Sequence, residues 1–223
     1  MGSTIAIFLG FLGIVLIISW LFNGTKALSS FDDANKSQII DATKLPASTG
    51  VNYAYSIWIY IEDWQYRFGD EKIIFVRGST GQFLIPSVSL APIDNNLIVR
   101  MGTEDGPFES IVPNVPLQKW TNIIISLNTR ALDTYINGKL VKTSVLPGMP
   151  KADNAAQLAL TPAGGFSGYT AKFNYWSDAV SPQEAWNVYK SGPGGNLFSN
   201  FFNQYKIQLN FLKGQDVKAS LTI

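Results

Sequence analysis

Chemistry in this chain must come from carboxylates, lysines and aromatic rings, because the sequence contains no histidine and no cysteine. The lack of histidine removes the usual general base near neutral pH, the Ser-His-Asp triad and the commonest zinc ligand. The lack of cysteine removes disulfides, thiolate metal sites and thiol nucleophiles. It leans toward a reducing compartment, or toward a fold large enough to need no staples. Cleavage of a glycosidic bond by paired acids needs two carboxyls on the same side of the sugar. Glu62-Asp63 and Asp70-Glu71 are adjacent pairs, and neighbours on an extended strand point to opposite faces. Glu104-Asp105, in a Gly-flanked loop, and Glu109 nearby do not supply the alternating spacing either. These residues therefore predict a chain that is not an enzyme, with no catalytic set.

Two other groups could bind without reacting. Calcium takes about six to eight oxygens, and a loop with Asp94, Asn95 and Asn96, or one with Glu104 and Asp105, could contribute some of them. The same residues are what turns use without any ion, since Asp and Asn favour those backbone geometries. No cofactor is expected, and calcium is the one candidate ion. Trp64 and Tyr66, within Asp63-Trp64-Gln65-Tyr66-Arg67-Phe68, could stack on a sugar, form an interface patch or plug a strand end. Lys+Arg 17 against Asp+Glu 16 gives a net charge of +1, and no basic run interleaves with aromatics. Nucleic acid is therefore not expected as a partner.

The elements that would position these residues are mostly strands. Tyr53, Tyr55, Ile57, Ile59 and Ile61 alternate with Asn52, Ala54, Ser56, Trp58 and Tyr60, the period of a long strand with one apolar and one mixed face. Further strands are predicted at 72–77, 87–90, 96–101, 121–128, 134–136, 158–160 and 169–176. Asn137-Gly138 is the pair a type I′ hairpin turn prefers, because both positions tolerate positive φ. One short helix is predicted, with Ser181 as cap, Pro182 at its first position and Glu184 completing a capping box. It ends at Gly192-Pro193-Gly194-Gly195. A last pair of strands, 205–212 and 217–223, closes the chain. Many short strands with Gly/Pro turns predict an all-β jelly-roll sandwich.

Particular segments resemble a known family. Val115-Pro116-Leu117-Gln118-Lys119-Trp120-Thr121, followed by Tyr135-Ile136-Asn137-Gly138, is similar to the core strand and hairpin of laminin-G-like, concanavalin A-like domains. Gly165-Phe166-Ser167-Gly168-Tyr169 and then Ala179-Val180-Ser181-Pro182-Gln183-Glu184 resemble the later strand and helix start of the same family. The resemblance covers about residues 40–192 and implies a concanavalin A-like sandwich. Trp120 is expected to fill the core at the start of its strand.

Ahead of this domain, residues 4–22 read TIAIFLGFLGIVLIISWLF, with no charge before Lys26. About 20 apolar residues in a helix cross a bilayer core of ~30 Å. Residues 1–25 are thus expected as a single-pass membrane anchor carrying Ile5, Phe8, Leu12, Ile14, Leu16 and Trp20. Gly2, Ala6, Gly10 and Gly13 fall on one helical face, a seam along which membrane helices can approach; small residues are also simply common in such helices. Residues 26–39 are expected as a polar linker, and 40–223 as the sandwich with its C-terminal strand pair. Asn23 and Asn35 match the glycosylation acceptor pattern. An anchor, a cysteine-free sandwich and the tail from Phe201 onward together resemble membrane-anchored minor capsid proteins of large nucleocytoplasmic DNA viruses. That likeness implies a structural virion protein on the internal membrane, facing the capsid, with the lipid bilayer and neighbouring capsid or membrane proteins as partners. The alternative is a membrane-displayed, lectin-like module that binds carbohydrate.

Overall fold

The alternation between positions 53 and 61 builds the central strand of a sandwich. A computed structural model describes residues 28–45, 51–78, 86–153, 155–194, 208–213 and 216–222. The expected anchor at 1–25, with its seam and Asn23, lies outside the described residues. Among the described residues, no helix is long and apolar enough to cross a membrane.

In chain order the strands are β1 (Asp32–Asp33), β2 (Gln38–Ile40), β3 (Tyr53–Asp63), β4 (Lys72–Arg77), β5 (Ser87–Leu90), β6 (Leu97–Thr103) and β7 (Gly106–Val112). They continue with β8 (Thr121–Asn128), β9 (Ala131–Ile136), β10 (Lys139–Val145), β11 (Leu158–Leu160) and β12 (Ser167–Trp176). Helix α1 (Pro182–Lys190) follows, then β13 (Gln208–Lys213) and β14 (Asp216–Thr222). Two six-stranded antiparallel sheets form, in the orders β1-β12-β3-β8-β9-β10 and β2-β11-β4-β5-β6-β7. Strands β13 and β14 make a two-stranded ladder of their own, separate in hydrogen bonding from both sheets.

The core lies between the two sheets. Tyr53, Tyr55, Ile57, Ile59 and Ile61 of β3 meet Phe75, Val88, Leu90, Val99, Phe173 and other side chains there. The opposite face of β3 is not left bare along its whole length. Helix α1 lies over it and closes a second, smaller cluster of Ala54, Ile124, Tyr135, Val180 and Ala185, with Trp58 stacked on Tyr189 at 5.7 Å. The helix begins as the sequence predicts: Ser181 Oγ accepts from the Glu184 N–H, and Glu184 Oε2 accepts from the Ser181 N–H at 2.7 Å. Asn137 (φ 51°) and Gly138 (φ 72°) form the β9–β10 turn. Asn137 Oδ1 accepts from the Asn122 N–H at 2.9 Å and locks that turn to β8.

Two sequence expectations change. The stretch expected as a linker at 26–39 enters both sheets: β1 pairs with β12 and β2 with β11. The polar, short strands of a sheet edge carry little periodicity to reveal them. Trp120 is not in the core. It is half-buried on the outer face of the first sheet, against Phe31 and Tyr60.

Candidate functional site

The loop residues singled out from the sequence divide between opposite ends of the sandwich. Trp64, Tyr66, Asp94 and Asn95 lie at the end where β3 stops and β6 starts, whereas Glu104 and Asp105 form the β6–β7 turn at the other end. Trp64 and Tyr66 fasten loops together. The Trp64 indole N–H donates to the Ile93 carbonyl at 2.9 Å, and the Tyr66 hydroxyl to the Gly164 carbonyl at 3.1 Å. Arg67 adds a bond from Nη1 to the Ala163 carbonyl at 2.5 Å. Lys72 lies with its ammonium 4.6 Å from the Trp64 ring centroid, a cation–π contact. Burial pushes the Lys72 pKa down, nearby Arg67 adds to that, and Asp70 opposes it. The two aromatics thus have structural partners.

Asn95 and Asn96 hold turns. Asn95 Nδ2 donates to the Val115 carbonyl at 3.0 Å, and Asn96 Oδ1 accepts from the Asn114 N–H at 3.3 Å. Asp94 is exposed at the same turn. Among the described residues, no group of three or more His, Cys, Asp or Glu side chains is placed to hold a metal. At the far end, the Glu104 N–H donates to the Met149 carbonyl at 3.0 Å.

The structure does bring two carboxylates together, from strands the sequence separates. Glu71 and Glu109 both bind Arg100 on the outer face of the second sheet, Glu109 at 2.8 Å through Nε. Ser89 Oγ donates to Glu71 Oε1 at 2.5 Å. Burial works against the Arg100 charge, but its bonds to Glu71 and then Glu109 outweigh that and raise its pKa. A guanidinium between two carboxylates occupies acceptor sites on both. This arrangement ties strands β5, β6 and β7 together.

A different group stands out on the outer face of the first sheet. Asp33, Tyr169 and Tyr60 occupy one row across β1, β12 and β3. Trp120 continues that row just before Thr121, which pairs with Ile59. Phe31, 60% exposed, lies over these rings. Its centroid is 5.1 Å from Tyr169 and 5.9 Å from Trp120, while Tyr60 is 5.7 Å from Trp120 and 6.3 Å from Tyr169. The four rings close a circuit about 6 Å on a side. The hydroxyls of Tyr60 and Tyr169 form no hydrogen bond with any described residue, and the indole N–H of Trp120 donates to none. A half-exposed aromatic surface with unused donors and acceptors suits a flat ligand that is apolar on its face and polar at its rim.

Sequence reasoning missed this group for an identifiable reason. In the sequence Tyr60 stands on the mixed face of a strand, Trp120 is expected in the core, Tyr169 reads only as part of a strand, and Phe31 falls in the expected linker. Only strand pairing makes them neighbours. The available signal was Tyr60 itself, a large aromatic on the side of β3 that faces away from the core.

The family description "Concanavalin A-like lectin/glucanases superfamily" matches residues 32–185. No curated protein matches the chain. Among solved structures, the ligand-binding domain of botulinum neurotoxin serotype D, in complex with N-acetylneuraminic acid, aligns with a TM-score of 0.59 at 15% identity. It covers 76% of this chain and 45% of that one. The serotype G binding domain aligns with a TM-score of 0.54 at 13% identity, covering 76% and 47%. A structure of neurotoxin type C, whose cell entry depends on two ganglioside molecules, aligns at 0.54 and 16% identity, covering 70% and 39%. This chain thus spans less than half the length of these neighbours, and the likeness is one of fold. With the family match extending over most of the chain and both sheets in place, the protein belongs to the concanavalin A-like lectin/glucanases superfamily.

Proposed function

We propose that this protein is a non-enzymatic recognition module, held at a membrane, whose outer aromatic face binds carbohydrate. The observation that carries the reading is the circuit of Phe31, Tyr60, Trp120 and Tyr169, with three polar groups unused among the described residues. Pyranose rings offer a C–H face to stack on aromatics and hydroxyls to bond at their rim. Carbohydrate ligands of fold neighbours, among them N-acetylneuraminic acid, support the reading as precedents on a similar sandwich. The absence of histidine and cysteine, and the engagement of Glu71 and Glu109 by Arg100, support a role in binding over catalysis. The uncharged run at residues 4–22 supports single-pass attachment.

A second reading keeps the attachment and replaces the sugar with protein: a structural bridge between an internal virion membrane and a capsid shell. It is favoured by the same apolar run, together with sheet edges that could receive neighbouring chains. A glycan array probed with the protein, with and without calcium, separates the two. Specific sugar binding supports the lectin-like module. Silence on the array, with cross-linking of the native protein to shell subunits, supports the bridge and removes the module.

A further inference from the structure

The charges around the aromatic circuit specify which carbohydrates it takes. Two residues beyond Tyr60, at the bulge of β3 opposite Ser167 and Gly168, stands Glu62, exposed and with no side-chain partner among the described residues. Asp33 stands opposite Tyr169 at the other side of the row, its charge shared with Lys36 at 2.5 Å. Asp32 adjoins it on β1. The chain has four arginines, and each is committed elsewhere. Arg67 is tied to the Ala163 carbonyl, and Arg77 is buried in the sandwich against Tyr55. Arg100 is held by Glu71 and Glu109 on the other sheet, and Arg130 is bonded to the Leu146 and Pro147 carbonyls. Recognition of a sugar carboxylate or sulfate calls for a guanidinium or ammonium at the ring edge. This rim offers carboxylates at two of its sides.

Resting on the carbohydrate-binding reading above, we infer that the Phe31–Tyr60–Trp120–Tyr169 face selects neutral glycans and excludes sialylated or sulfated ones. Ring stacking supplies the attraction, and the carboxylates of Glu62 and Asp33 accept hydrogen bonds from sugar hydroxyls. The same carboxylates repel an anionic sugar. Lys36, paired with Asp33 at 2.5 Å, and Lys119, next to Trp120 in sequence, offset part of that negative charge, so the selection rests on Glu62 and Asp32 as well as Asp33.

The test uses the whole protein in detergent on an array of neutral oligosaccharides (cello-, xylo- and N-acetylglucosamine oligomers, lactosamines) and acidic ones (3′-sialyllactose, sulfated lactosamines). Tryptophan fluorescence titration follows with the best neutral oligomer and with 3′-sialyllactose. The inference expects binding confined to neutral glycans and a loss of at least about tenfold in Trp120→Ala, the scale of one aromatic contact. Tyr169→Phe keeps the ring and the fold while removing one hydroxyl, so a smaller loss there guards against a Trp120→Ala variant that merely unfolds. Glu62→Lys, at an exposed and unpaired position, is expected to raise binding of 3′-sialyllactose relative to the neutral oligomer. Preferential binding of acidic glycans by the natural protein overturns the inference and leaves the carbohydrate reading standing. Neutral-glycan binding that survives in a folded Trp120→Ala variant overturns the inference and also the aromatic circuit as the binding face, leaving only carbohydrate binding elsewhere on the protein. No binding to any glycan overturns both.

Discussion

Placing alanine at Gly138 tests how closely helix α1 is seated on the sheet. Gly138 has φ +72°, and a Cβ there would lie 2.9 Å from Tyr189 Cβ, 3.0 Å from Trp186 Cε3 and 3.1 Å from Trp186 Cα. Two costs combine at this position. A left-handed conformation costs a side-chain-bearing residue about 1–2 kcal/mol. Forcing an extra carbon into a packed contact costs roughly another 1–3 kcal/mol, because the atoms that must move include helix backbone. The total is roughly 2–5 kcal/mol against a typical domain stability of about 5–15 kcal/mol.

Gly69 supplies the control, since its φ is +89° and nothing lies within 4 Å of its added Cβ. Gly69→Ala therefore carries the first cost alone. Urea unfolding of both variants, followed by tryptophan fluorescence, should place the Gly138→Ala midpoint lower than that of Gly69→Ala by roughly 0.5–1.5 M, for an m-value near 2 kcal/mol/M. Near-ultraviolet circular dichroism, to which Trp58, Trp186 and Tyr189 contribute, should change in Gly138→Ala alone. Equal midpoints with unchanged aromatic signals would refute the close seating of α1 and the role given to this glycine.

Other expectations follow from single contacts. Ser181→Ala removes the acceptor for the Glu184 N–H and should cost about 0.5–2 kcal/mol by urea titration; an unchanged midpoint would show that the cap carries no weight. Tyr53 is fully buried, and burial, then Tyr55, raise its pKa well above 10.0 against the pull of Arg77, while burial also raises that of Tyr55. Above pH 10 the unfolded chain loses these phenolic protons while the folded chain keeps them, so stability is complete below that pH and declines above it. Tyr53→Phe, which loses only a 3.4 Å contact with Met101 Sδ, should therefore cost less than about 1 kcal/mol at pH 7 and flatten the alkaline decline. Tyr55→Phe removes the hydroxyl that accepts from Arg77 Nη1 at 2.9 Å, leaving the guanidinium its contact with Tyr175, and should cost roughly 1.5–3 kcal/mol at pH 7. Arg100→Ala should cost about 1–2 kcal/mol, a value discounted for partial exposure. A double-mutant cycle with Glu71→Gln that shows no coupling would remove the bridging role of Arg100.

Local signals carried most of the fold. The strand at 72–77, the strand at 121–128, the Asn137-Gly138 turn and the Ser181/Glu184 capping box all depend on neighbours in sequence, and each appears where it was expected. Strand β7 was missed because Gly106, Pro107 and Glu109 break any apolar alternation. The short edge strands β1 and β2 were missed because two or three residues cannot display a period. Sites fared worse than elements for a physical reason. Glu71 and Glu109 are brought to one arginine by the β5–β6–β7 pairing, and Phe31 reaches Trp120 across two intervening strands. Such meetings are set by register between distant segments, which composition does not encode. The lone aromatic pair visible locally, Trp64 and Tyr66, turned out to be bonded into loop carbonyls.

The position of the aromatic circuit follows from the length of one helix. Helix α1 has nine residues and is about 13 Å long at 1.5 Å per residue. Strand β3 has eleven residues and is about 36 Å long at 3.3 Å per residue. The helix therefore cannot cover the outer face of β3, and the boundary is visible in the side chains. Trp58 is buried beneath Tyr189, whereas Tyr60, two residues further on the same face, is beyond the helix and only partly covered. An uncovered sheet face that served only stability would carry polar side chains, as antiparallel sheets do where one face meets water. Here the uncovered positions instead hold tyrosine, tryptophan and, from the neighbouring edge, phenylalanine. Phe31 keeps 60% of its surface exposed, apolar area that contributes no hydrophobic stabilisation. Large rings at positions the fold does not require are what the proposed binding face accounts for.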